Sequence, residues 1–373
     1  MQIYNKNFDQ ITFFLISLLY LAIAYFFFLK FGPMTGGDGF KYIDGTKKIL
    51  NYQLLDGKQS FFYSYSLFLT PYVFFKLDFL YLSILQLFIF FISGLTLKKL
   101  INKYTNSLIS LFGFSLYLIN PPFIKWALYT MPESLFVSCT VFLIYFFYKK
   151  NLFLIFLFSL IIFFLKPQGI LIALSVISVF LLNFFQRRNF FEKLILSLIF
   201  IITIIYTFEY SNKYFKEEKN FFKYYESGQI IYGYNEILIS DQKNSFKKNE
   251  EMKPTSFLIN FYTNDIIYTS KLLLKKTYFF LTRLRPYNSN IHNYYLMITL
   301  LPIIILFIIS FFELKVFKKF IFLYLIILYN YLSIIISWVE WNGRFSIVIL
   351  PPLIIISMLV INSFFFKGKF TFK

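Results

Sequence analysis

The chain reads as an all-α polytopic membrane protein, with about ten transmembrane helices and a juxtamembrane helix on the outer face in the first loop. Three observations predict this. Of 373 residues, 58% are hydrophobic and 15% charged, and the mean hydropathy is +0.65, which leaves too little polar surface to coat a water-soluble globule. The apolar residues fall into runs of spanning length or close to it, and lysine and arginine cluster at alternate ends of those runs. That clustering also accounts for the formal charge of +19 without nucleic acid as a partner.

The runs are Ile11 to Phe31, Phe79 to Leu97, Ser107 to Ile119, Glu133 to Tyr148, Leu152 to Leu165, Gly169 to Phe185, Phe191 to Phe208, Tyr294 to Phe312, Phe320 to Ser337 and Ser346 to Phe366. The first lacks a small-residue cleavage pattern, so it reads as a retained span. With cytoplasmic termini, the inner loops carry Lys98, Lys99 and Lys103, then Lys149 and Lys150, then Arg187, Arg188 and Lys193, then Lys315, Lys318 and Lys319. The few outer cations stand beside acids or prolines, as with Lys125 near Glu133, so one orientation satisfies the positive-inside rule throughout. The protein is therefore expected in a plasma membrane, bacterial and inner. The apolar stretch Phe61 to Phe75 would break the alternation, and reads as a re-entrant or interfacial hairpin interrupted by Pro71.

All of residues 1–373 form one transmembrane domain, with a first outer loop over 32–60 and a long outer loop over 209–293 that carries short helices of its own. In the first loop, Phe40, Ile43, Leu50 and Leu54 recur on one side and Lys41, Asp44, Lys48 and Asn51 on the other, which predicts a helix lying along the membrane surface. Asp38 stands at its start, after Gly36 and Gly37. It serves either as a carboxylate aimed into a wet cavity or as an N-cap for the helix. Leu152 to Leu165 makes roughly 21 Å of helix, shorter than the hydrocarbon layer, so Lys166 is expected below the outer surface facing water or a counter-charge.

Asp38, Asp44, Glu133, Lys166, Arg283, Arg285, Glu340 and Arg344 all fall at or just beneath the outer face under this topology. They supply both signs that group transfer from a lipid phosphate requires. A carboxylate takes the acceptor hydroxyl's proton, and cations stabilise the departing phosphate. Arg283 and Arg285 flank a leucine where the long loop re-enters the membrane, suiting them to phosphate or to ordinary headgroup anchoring. Carboxylates such as Asp38 would also be the holders of a divalent metal bridging that phosphate. Each acid has a plainer role as well: Glu133 complements a helix dipole, and Glu340 pairs with Arg344 at i,i+4. His292, the one histidine, sits at the interface, and Cys139, the one cysteine, permits no intramolecular disulfide. There is no Walker A loop, dinucleotide fingerprint, HExxH or GxSxG.

At these residues the chain resembles the GT-C class of polytopic glycosyltransferases, which includes protein O-mannosyltransferases and lipid A aminoarabinose transferases. The matching stretches are Gly37-Asp38 with Tyr42, Ser64 to Phe68 followed by Leu82 to Gln86, Met131 to Phe136, Lys166 to Gly169, and Glu340 with Arg344-Phe345 and Pro351-Pro352. The resemblance implies an inverting transferase that moves a single sugar from a polyprenyl-phosphate carrier to a lipid, glycan or protein acceptor. It makes Asp38 the base or its metal-linked equivalent, Glu133 structural or a second acid, and Lys166 and Arg344 phosphate ligands. Tyr42, Asp44 and Glu340 support them. The chain departs from better-known members in having Asp38-Gly39 where several carry paired acids, and in lacking a sizeable soluble C-terminal domain. The rival class is a carrier or flippase for lipid-linked glycans, against which stands the near absence of ionisable residues at mid-span.

Overall fold

The structure, a computed structural model, describes residues 6–185, 190–216, 225, 227–231, 234, 237, 252–337, 339 and 343–365. Among these the fold is helical, and the only β-pairing is two isolated bridges. Every apolar run picked out above lies on a helix. The helices are α1 (Lys6–Phe31), α2 (Gly39–Leu50), α3 (Tyr63–Phe74), α4 (Phe79–Tyr104), α5 (Ser107–Leu118), α6 (Pro121–Leu128), α7 (Glu133–Lys149), α8 (Leu152–Leu165), α9 (Gly169–Phe185) and α10 (Phe190–Lys216). Then follow α11 (Pro254–Asn264), α12 (Ile266–Thr282), α13 (Asn290–Ser310), α14 (Leu314–Lys319), α15 (Ile321–Ile336) and α16 (Leu350–Phe365). Local chemistry marks many of the ends. Asp78, Asn106 and Asn151 cap α4, α5 and α8 by accepting from the N–H groups of Leu80, Ile109 and Leu154, and Lys150 closes α7 in the left-handed conformation.

Length and composition sort these helices further. Among the described residues four are long and apolar enough to cross a membrane: Asn7–Phe31, Phe79–Tyr104, Asn290–Ser310 and Ser346–Phe365. A fifth crossing results if α5 and α6, bent by 48° at Asn120, make one broken span. Leu152–Leu165, Gly169–Leu182 and Ile321–Ile336 are shorter apolar helices. These helices are compatible with an integral membrane protein.

The chain divides into two compact units. The first holds Met1–Gly169, Pro302–Ile327 and Ile347–Lys373, and the second Ile170–Leu301 and Leu328–Ser346. In the first unit, α16 is the centre: 83% of its apolar window is buried, against 11% for α1, which leaves α1 at the rim with Phe14, Leu21, Phe26 and Leu29 exposed. That surface suits hydrocarbon better than water. Inside, Phe90, Tyr117 and Phe123 pack with ring centroids 4.6 to 5.3 Å apart, and the Tyr117 and Ser93 hydroxyls share a 2.7 Å hydrogen bond. Lys319 lies 4.4 Å over the Tyr104 ring, and Tyr104 and Tyr148 both pack on Phe320, grouping aromatic and cationic side chains as at a membrane interface.

One expectation is corrected here. Pro71 does not interrupt its segment: it lies inside α3 close to the C-terminal end, where it removes one hydrogen bond, and the helix still closes with the Phe75 N–H on the Pro71 carbonyl at 3.0 Å. After Asn120 the chain forms α6, started by Pro121 and Pro122 at the positions where a missing N–H costs nothing.

In the second unit, Tyr225, Ile230, Ile231, Phe257, Leu258, Phe261, Tyr268 and Leu272 form a core of their own. The expected short helices of the long loop are α11 and α12. They fold onto the end of α15: the Tyr262 hydroxyl of α11 donates to the Ile336 carbonyl at 2.9 Å, and Lys276 of α12 to the Ser337 carbonyl at 2.7 Å.

Candidate active site

The first unit brings Asp38, Tyr42, Glu133 and Lys166 to one end of its bundle. The loop after α1 is stitched to the chain after α6, since the Met34 N–H donates to Leu128 at 3.0 Å and the Thr130 N–H to Met34 at 2.8 Å. The α6 end is held in turn by α4, where Gln86 donates to the Ala127 and Tyr129 carbonyls and Ser83 to Leu128. Gly37 takes the left-handed φ of +65° that turns the chain into α2, and Met131 lies beside it. Gly39 rests against Thr130, where a Cβ would come within 3.2 Å of the carbonyl oxygen.

Asp38 occupies the N-cap position of α2, yet its side chain caps no backbone N–H. Its carboxylate accepts from Lys41 Nζ at 2.8 Å, and the side chain keeps 34% of its surface exposed. The capping role is thus not the one this carboxylate performs. Asp44 is also exposed and accepts from Gln59 at 2.7 Å. The face of α2 that packs inward is Gly39, Tyr42, Gly45 and Thr46, with Thr46 donating to the Ser66 carbonyl at 3.0 Å. Phe40 therefore faces away, 62% exposed, whereas α2 ends at Leu50 and Leu54, expected on the same helical face, lies beyond it.

Tyr42 is buried, with its ring 4.9 Å from Phe62 and 5.3 Å edge-on to Tyr65. Tyr65 is fully buried as well, and desolvation, with the Glu133 charge behind it, pushes its hydroxyl well above the ordinary phenol range. Glu133 opens α7 and is completely buried. It meets Lys166 Nζ at 3.1 Å, and Lys166 is 2% exposed. The counter-charge expected for a shallowly placed Lys166 is therefore Glu133, and the acid expected beside Lys125 belongs to Lys166 instead. Tyr65 falls in the Ser64 to Phe68 stretch, but nothing in the sequence distinguishes it as a site residue from the rest of the 30 tyrosines.

Arg283, Arg285 and Arg344 belong to the second unit. Arg283 ends α12 in the left-handed conformation and donates to the Gly343 carbonyl at 3.0 Å; Arg285 donates to Phe279 at 2.7 Å and Leu284 at 2.9 Å. Both are buried and hold main chain together, whereas Arg344 is half-buried with its guanidinium 5.3 Å over Phe345. Glu340 lies outside the described residues. His292 is exposed at the start of α13. Among the described residues no group of three or more His, Cys, Asp or Glu side chains could hold a metal. A divalent ion at Asp38 would thus take most of its oxygens from water and substrate phosphate, as magnesium commonly does.

No family model, no curated protein and no solved structure matches this chain.

Proposed function

We propose that the chain is an inverting glycosyltransferase of the outer face of a bacterial plasma membrane, with about ten crossings, the short helices included, and both termini cytoplasmic. It moves one sugar from a polyprenyl-phosphate carrier to a lipid, glycan or protein acceptor. The observation that carries this reading is Asp38: a part-exposed carboxylate at a helix start that it does not cap, next to a buried ion pair. In the reaction Asp38 takes the proton of the acceptor hydroxyl, whose oxygen bonds to the anomeric carbon as the carbon–oxygen bond to phosphate breaks and the phosphate leaves with that electron pair. The departing phosphate requires positive charge beside it, a role that the resemblance gives to Lys166 in the first unit. The Glu133–Lys166 pair fixes the wall beside Tyr65; a phosphate contact from Lys166 would require it to share its ammonium with Glu133.

The test uses purified protein in lipid, radiolabelled polyprenyl-phosphate sugars and a membrane extract as acceptor, comparing wild type with Asp38→Asn. Transfer that collapses in the variant while donor binding persists supports the reading. Donor binding by both without transfer, with an acceptor shown to be competent, moves the reading to a carrier for lipid-linked glycans.

A further inference from the structure

The same end of the first unit carries two lysines that the proposed reaction does not use. Lys30, in the last turn of α1, lies with its ammonium 5.4 Å from the Phe31 ring centroid; Lys125, on α6, lies 5.4 Å from the same centroid and 5.9 Å from that of Tyr129. At most twice that first distance separates the two charges, so each raises the cost of the other. Among the described residues neither has a carboxylate partner. A pair of like charges held over one ring, without an acid to offset them, is an incomplete arrangement, and an anion completes it.

One helical turn away along α1 and α6 begins a groove of about 560 Å³ between α1 and α4, lined by Tyr20, Ala24, Phe28, Ile84, Phe88 and Leu128 among others. That volume is in the ~300–1,000 Å³ range of ligand sites. Its polar atoms are largely occupied: Tyr20 donates to the Leu87 carbonyl at 2.9 Å, Ser17 to Phe13 at 2.9 Å and Ser83 to Leu128 at 3.2 Å. The wall therefore offers hydrocarbon and little else. Groove and cations are continuous, because Phe28 precedes Phe31 by one helical turn on α1 and Lys125 precedes Leu128 by one turn on α6.

We propose that this is a binding site for a lipid with a phosphate headgroup, the phosphate held between Lys30 and Lys125 and one long chain lying in the α1/α4 groove. The charge pair selects the anion, and the groove excludes a soluble phosphate ester without a chain. The site stands apart from the Asp38 chemistry and holds for a protein with no transferase activity.

The experiment measures retention of defined lipids by the purified full chain in neutral detergent, by native mass spectrometry and by competition against a fluorescent phosphatidate. The probes are phosphatidate, polyprenyl phosphate, their uncharged counterparts diacylglycerol and polyprenol, and inorganic phosphate. Wild type is expected to retain the phosphate-headed lipids at least tenfold better than the uncharged ones, and inorganic phosphate to compete poorly. Lys30→Ala with Lys125→Ala should remove that preference, Ala24→Phe should weaken every lipid, and Asp38→Asn, which stops transfer under the proposed function, should leave the lipid preference intact. Equal retention of charged and uncharged lipids by wild type overturns the proposal. So does a preference that survives in the double lysine variant, or competition by inorganic phosphate as effective as by phosphatidate. Loss of transfer in Asp38→Asn with this preference intact separates the two readings, as does preference without transfer in wild type.

Discussion

Removing one partner of the Glu133–Lys166 pair should cost far more than removing both. The Glu133 side chain is 0% exposed and that of Lys166 3%, so Glu133→Gln strands an ammonium and Lys166→Met strands a carboxylate in a place where water does not reach. Breaking a buried pair in this way destabilises by about 3–5 kcal/mol, whereas replacing both members with neutral groups of similar volume is often close to neutral. The double variant Glu133→Gln/Lys166→Met should therefore recover most of the loss, giving a coupling energy of roughly 5–10 kcal/mol between positions 33 residues apart. The assay is reversible unfolding in mixed micelles, titrated with a denaturing detergent, on wild type, both single variants and the double variant. Single variants that each cost under ~1 kcal/mol, or losses that simply add, would refute the inference that the two groups neutralise each other in a dry site.

Asp38→Asn should leave stability within ~0.5 kcal/mol of wild type while abolishing transfer, because its carboxylate caps no helix; a large drop in melting temperature would show a structural role instead. Lys276, buried in the second unit with Nζ 2.7 Å from the Ser337 carbonyl and 4.9 Å from the Tyr225 ring, is pushed down to about 7 by desolvation. The unfolded chain then holds more protons than the folded one between that value and the ordinary lysine range, so the unit should gain stability as pH rises from 7 to 10, by about 3–4 kcal/mol. Lys276→Met should flatten that slope, which thermal unfolding of both proteins across the range would reveal. Gly343→Ala should destabilise the second unit by about 2 kcal/mol or more, since φ is +75° there and a Cβ would overlap the Arg283 guanidinium; proteolysis of the 254–282 region at graded denaturant would report it.

The sequence revealed helices more readily than it revealed crossings. Apolar runs and caps such as Asp78 and Asn106 mark α4 and α5 closely, because both act within a few residues. The number of spans depends on length against bilayer thickness, and α8, at 14 residues, sits on the wrong side of that comparison. Asp38 was legible as a helix-start acid, and only its side-chain geometry shows that it makes no cap hydrogen bond. The Glu133–Lys166 contact was half legible: a short helix implied that Lys166 needs a counter-charge, but nothing local to either residue named its partner. The inward face of α2 was hidden because glycine and threonine make it, and periodicity methods weigh large apolar residues. Lys30 and Lys125 were separately unremarkable, and their shared ring appears only once α6 crosses the end of α1.

The bridge between Met34 and Tyr129 sets a clock on assembly. The loop bearing Asp38 leaves the ribosome early, but the backbone that holds it in register is made 95 residues later, between positions 34 and 129. At ~5–20 residues per second, that is a delay of roughly 5–20 s in which α2 waits without its clamp. A nascent chain released or stalled before Tyr129 would carry every residue of the first loop without the backbone partner on which Met34 is held.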